Sequence, residues 1–258
     1  MLLKKGDKGA NVKAFQAFLN TQGEVLDADG NFGGLTEGAV RRFQAKHGLT
    51  SDGKAGQNTI SVAMQLGLEG FGGDAKPSSG KLVLLSAGHT NVSGQDRGVG
   101  ANGMVEGVEA VKIRDRVADL VRVKGVSVIE DGADGQNLPL SKALELAKKA
   151  DIKIEWHFNA AANPSASGIE VLSMPAHTKF GQRLAEAVNQ ALSLPLRGDK
   201  GWKSDTSGQH SRLAFCRAGG LLIETCFLTN PGDVKSYQDN FEKMCGILAE
   251  VIARAANT

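Results

Sequence analysis

Two hydrophobic rhythms divide the chain. Up to residue 68, apolar side chains recur at helical spacing: Val12, Phe15 and Leu19, then Ala39, Val40 and Phe43, then Ile60, Ala63 and Met64. They predict three short helices around one small core. Beyond residue 80, short apolar runs at 82–85, 126–129, 152–158, 169–172 and 221–223 read as strands. Helical spacing lies between them: Ile113, Val117, Leu120 and Val121, a stretch from Ser141 (as the cap) to 150, Phe180 to Leu192, and 241–255. This alternation predicts an α/β domain whose mainly parallel sheet is flanked by helices. Residues 69–80, EGFGGDAKPSSG, follow neither rhythm and read as a flexible linker. The expected organisation is 1–68, a small three-helix domain, 69–80, a linker, and 81–258, a larger α/β domain.

The first segment repeats itself. Asp29-Gly30-Asn31-Phe32-Gly33 with Thr36 returns as Asp52-Gly53-Lys54-Ala55-Gly56 with Thr59, and Phe-Gln occurs at Phe15-Gln16 and again at Phe43-Gln44. Each copy is a turn followed by a Thr, or a residue near it, suited to starting a helix. Asp27, Asp29 and Asn31 imitate the start of a calcium loop, but Phe32 stands where that loop needs Gly and Gly38 where it needs Glu.

Composition narrows the function classes. With 41% apolar and 22% charged residues a packed core is expected and wholesale disorder is excluded. The 33 glycines show no collagen period. A net charge of +2 without a clustered basic face argues against a nucleic-acid partner. Cys216, Cys226 and Cys245 are odd in number and lack paired spacing, so they read as buried thiols. No apolar run reaches the ~18 residues of a membrane span, and the first residues lead into no signal-peptide core. No membrane insertion is expected, a monomer is, and the cytoplasm is the expected place of synthesis.

Ligands of open parallel sheets gather at the carboxyl ends of strands. His89 follows the first strand, His157 lies near the end of the 152–158 strand on the face opposite Ile154 and Trp156, and Glu224 follows 221–223. Glu106 shares a helical face with Ala110, Ile113 and Val117, so its carboxylate points inward and needs a cation or several donors. Zinc held by two His and one Glu, with water in an open fourth position, meets that need and makes a hydrolytic site. On spacing alone the histidines could be structural, Glu109 rivals Glu106, and Glu224 could be a buried carboxylate served by backbone donors. Asn159, His210 and Arg212 are weaker candidates for substrate contact, the last two in the Gly/Ser-rich stretch 198–212.

Four segments stand in order: Ser86-Ala87-Gly88-His89, Asn102-Gly103-Met104-Val105-Glu106, Glu155-Trp156-His157-Phe158-Asn159-Ala160, and Ile223-Glu224-Thr225-Cys226-Phe227-Leu228-Thr229-Asn230. Together they resemble the zinc-dependent N-acetylmuramoyl-L-alanine amidases of the amidase_3 family, over about residues 82–255. The resemblance implies one zinc ion per chain held by His89, Glu106 and His157, favouring Glu106 over Glu109, with Glu224 as catalytic base. Ser86-Ala87 and Thr90-Asn91 depart from the family's usual Asp-Pro and Gly-Gly around the first histidine. Residues 1–68, with their doubled D-G-x-x-G-x-x-T and F-Q pattern, resemble a peptidoglycan-binding domain of the PG_binding_1 type. Peptidoglycan is then the implied partner. The chain looks like a bacteriophage endolysin, held in the host cytoplasm until holin-dependent release.

Overall fold

A computed structural model describes residues 2–68, 80–132, 135–207 and 213–258. Contacts within the chain divide it into two compact units, 1–76 and 77–258. Residues 69–79 of the expected linker lie outside the described residues, as do His210 and Arg212.

The first unit holds α1 (Ala10–Thr21), α2 (Gly34–Lys46) and α3 (Gln57–Gln65). Phe15, Leu19, Val40, Phe43 and Ala63 are fully or almost fully buried in one core. Met64 is not part of it. It is 37% exposed, and Leu68, past the helix end, is buried there instead. The two threonines do not cap their helices either. Gly33 and Gly56 hold the cap positions without side-chain bonds, and the Thr36 and Thr59 hydroxyls instead accept the buried amides of Gln16 and Gln44.

The second unit runs through β1 (Val83–Ala87), β2 (Gly100–Ala101), β3 (Met104–Val105), α4 (Glu106–Val123), β4 (Val128–Glu130), α5 (Leu140–Ala147), β5 (Ile152–Asn159), β6 (Glu170–Ser173), α6 (Thr178–Leu192), β7 (Trp202–Ser204), α7 (Ala214–Arg217), β8 (Leu221–Phe227) and α8 (Pro231–Ala256). Six strands form one sheet in the order β4-β1-β5-β8-β6-β7. The pairs are parallel except β6 against β8. Helix α5 starts at Leu140 behind Pro139, so Ser141 lies inside the first turn and is no cap. The last helix begins ten residues earlier than its apolar spacing suggests, because Asn230 accepts from the Gly232 and Asp233 amides and Pro231 fits the first turn. Cys216, Cys226 and Cys245 are buried free thiols. No helix among the described residues is long and apolar enough to cross a membrane.

The two faces of the sheet are unequal, and this places the site. Ile154, Trp156, Phe158 and Ile223 pack with Ile113 of α4, Val188 of α6 and Leu248 of α8 in the main core. Strand alternation turns Ser86, Glu155, His157 and Glu224 to the other face. That face carries only small clusters under the short helices, around Leu84, Ala147 and Phe215, and around Leu172, Cys216 and Leu222.

Candidate metal centre

Each proposed ligand is delivered by a local device that its sequence specifies. Gly88 follows β1 and lies so close to His157 that an added Cβ would be 2.2 Å from the imidazole, so no larger residue fits while that ring stays in place. His89 follows with φ of 58°, a left-handed conformation uncommon outside glycine. Its carbonyl, and that of Ala87, accept the Asn137 side-chain amide, which holds the turn. Asn102 and Gly103 have φ of 49° and 77° between β2 and β3, the positive values that a tight two-residue hairpin requires. The hairpin leads directly into α4 and sets Glu106 at its first residue.

Glu106 is buried, with one oxygen turned to each side. Oε2 accepts the Val99 N–H at 3.0 Å. Oε1 accepts the Phe158 N–H at 3.1 Å and lies 3.0 Å from His157 Nδ1 and 3.4 Å from His89 Nε2. Burial works against ionisation of Glu106, but the hydrogen bond and charge of His157 with the Val99 N–H hold its carboxyl below the usual range. The far ring nitrogens also face carboxylates: His157 Nε2 lies 3.2 Å from Glu155 Oε2, and His89 Nδ1 lies 3.3 Å from Asp96 Oδ1. Burial alone would depress His157, yet hydrogen bonds to Glu106 and Glu155 raise it well above its ordinary value. This site is built to hold positive charge between acids.

One donor atom from each of His89, Glu106 and His157 can be chosen so that all lie within 4.8 Å of one another. Tetrahedral zinc with bonds of ~2.0–2.1 Å separates its ligands by about 3.3 Å. The 3.0 and 3.4 Å contacts to Glu106 bracket that value, so this donor set fits the ion. Glu109, the rival on spacing, is engaged elsewhere, by Lys112 Nζ at 2.6 Å and the Tyr237 hydroxyl at 3.2 Å.

Glu224 stands beside His157 in the register of β5 with β8, just before an irregularity in that ladder. Its Oε2 is buried and has no hydrogen-bond partner among the described residues. Burial pushes its carboxyl up to about 7; His157 opposes the shift, and the carboxylates of Glu106, Glu170 and Glu155 add to it. Such a group can take and return a proton near neutral pH. Asn159 does not join the cluster: its amide donates to Glu170 at 3.0 Å, where Arg197 and Lys203 also converge. A cavity of about 420 Å³ reaches the group, bordered by Gly88, His89, Asp96, Glu155, His157 and Phe215.

Glu155 and Asp96 were not anticipated from sequence. For Glu155 the signal was present, since a residue two before His157 on a strand shares its face.

Comparison with known proteins covers both units. The family profile described as N-acetylmuramoyl-L-alanine amidase matches residues 83–256, and one for a domain assigned to peptidoglycan binding matches residues 8–62. A structure assigned as an N-acetylmuramoyl-L-alanine amidase from Neisseria meningitidis is 38% identical, with a TM-score of 0.63, covering 67% of this chain and 94% of that one. The catalytic domain of CwlV, an amidase from Bacillus (Paenibacillus) polymyxa, is 19% identical with a TM-score of 0.56 over 67% of this chain and 97% of its own, a likeness of fold. The uncharacterized protein YqiI of Bacillus subtilis is 29% identical over 62% of this chain and 76% of its own length.

Proposed function

Because the chain belongs to the N-acetylmuramoyl-L-alanine amidase family, we propose that it hydrolyses the amide joining N-acetylmuramic acid to the L-alanine of the stem peptide, with zinc as its metal. The observation that carries this reading is the convergence of His89, Glu106 and His157 beside Glu224, an acid with a buried oxygen that has no partner among the described residues. His89, Glu106 and His157 hold the ion. When bound, zinc supplies Lewis acidity for the scissile carbonyl and the attacking water. Glu224 accepts the proton of that water and delivers it to the leaving amine nitrogen, acting first as base and then as acid. The Gly88–His89 turn and the cavity beside it receive the substrate. Residues 8–62 bind the wall and raise the local concentration of the hydrolytic unit. An endolysin-like lytic role is part of this proposal, and it rests on the pairing of a wall-binding with a wall-cleaving unit.

Digestion of purified peptidoglycan followed by mass spectrometry tests the reaction. The expected products are intact stem peptides with free L-alanine amino termini and glycan chains stripped of peptide, with loss of both on chelation. Products cut within the stem, or deacetylated glycan, would instead identify a peptidase or a deacetylase.

A further inference from the structure

The two imidazoles of the centre are backed by carboxylates of opposite character. Asp96, behind His89, has a side chain 84% exposed, whereas that of Glu155, behind His157, is 6% exposed. Glu155 faces Ser86 across the β1–β5 ladder, and its Oε1 accepts from Ser86 Oγ at 3.0 Å, sharing that single hydroxyl hydrogen with Asp131. Ser86 Oγ also lies 2.7 Å from Asp131 Oδ2. Asp131 Oδ1 in turn accepts from Nη1 of Arg114 at 2.9 Å, and the Arg114 side chain is fully buried on α4. A buried line of three side chains, Ser86, Asp131 and Arg114, thus stands behind the acid that touches His157.

We infer that Glu155 is a positioning residue for the metal centre. Its carboxylate takes the Nε2 hydrogen of His157 and fixes the ring with Nδ1 turned to Glu106 and the ion. The inference rests on the zinc reading above and adds a residue to it. Acids behind metal-binding histidines fix tautomer and ring orientation, and their loss typically weakens metal binding 10–100-fold. Only Glu155 can act strongly here, because water competes for Asp96 and exposed ion pairs contribute little. The arrangement also gives a reason for burying an acid within reach of Asp131 and Glu224: its grip on one imidazole.

Zinc dissociation constants of the full chain, measured by chelator competition, test this. Glu155→Ala is expected to weaken zinc about 10–100-fold and Asp96→Ala less than about fivefold, with the metal-free melting temperature of each recorded alongside. Equal affinity in native chain and Glu155→Ala, or equal losses in the two variants, overturns the inference. Should Glu155→Ala fail to fold, ring ¹⁵N spectra of the zinc-loaded native chain decide the matter. The expected pattern for His157 is a hydrogen on Nε2 and metal on Nδ1, and metal on Nε2 overturns the inference. A native chain that binds no zinc refutes the underlying metal reading instead, so the two failures are distinguishable.

Discussion

Each unit of this chain buries a cluster of polar side chains, and the two clusters are built on opposite terms. In the first unit, Gln16 donates to Asp29, the Asn31 carbonyl and Thr36, and accepts the Gly30 N–H. Gln44 repeats the pattern with Asp52, the Lys54 carbonyl, Thr59 and the Gly53 N–H. Each amide is engaged at both its nitrogen and its oxygen, the groups around it are mostly neutral, and the result is scaffolding. In the second unit Glu106, Glu155, Glu170 and Glu224 are buried, the other three act electrostatically on Glu224, and among the described residues one oxygen of Glu224 has no partner. Acids so placed need a cation and a proton acceptor's task to justify their burial. Burial of polar groups alone does not separate the two clusters; a surplus of acids does, and only the second cluster has it.

The largest expected effect breaks the second cluster at its unmatched acid. Glu224→Gln keeps the shape and removes the proton acceptor, so turnover on peptidoglycan should fall about 10²–10⁴-fold while zinc stays bound. Near-native turnover would remove Glu224 from the chemistry. Next, the matched cluster should respond in stability and in a symmetric way. Gln16→Ala and Gln44→Ala each leave a buried amide N–H and a carbonyl without their partner, at a cost of about 2–3 kcal/mol apiece in denaturant unfolding of the first unit. Strongly unequal costs would show that the two copies of the repeat do not share one role. Smallest is a pH effect confined to the first unit. The Asn31 side chain and backbone, with Gln16, hold the Asp29 carboxyl down to about 2, below its ordinary value near 3.9. A depressed acid stabilises above its unfolded pKa, and that contribution is lost as pH falls through about 2. Thermal melts from pH 5 to 2 should therefore decline, and decline less in Asp29→Asn.

Much of this contrast was legible in the chain. The doubled Asp-Gly turn with its Phe-Gln partner announces a repeat, and alternation along 152–158 puts His157 opposite the core-facing Ile154 and Trp156. Other features depend on tertiary partners that periodicity cannot see. Glu106 and Glu109 are both buried on α4, and their roles are separated by partners distant in sequence, His89 and His157 for Glu106 and Tyr237 for Glu109. Thr36 and Thr59 carry hydroxyls suited to capping, but the buried glutamines claim them. Strand β7 and helix α7 are three and four residues long, too short for a period to develop. The reversal of β6 against β8 leaves no mark in either strand's composition. Glu155 escaped notice because a single acid in a strand reads as solvated until its neighbours Ser86 and His157 are in place.

On the proposed reading, three side chains far apart in sequence share one metal ion. Anomalous diffraction at the zinc edge from crystals of the full chain grown with zinc tests it most directly. The expected result is one strong peak at about 2.0–2.2 Å from Nε2 of His89, Oε1 of Glu106 and Nδ1 of His157, with the Glu224 carboxylate alongside and outside bonding distance. No peak among these residues, or a peak bound to Glu224 in place of Glu106, would contradict it.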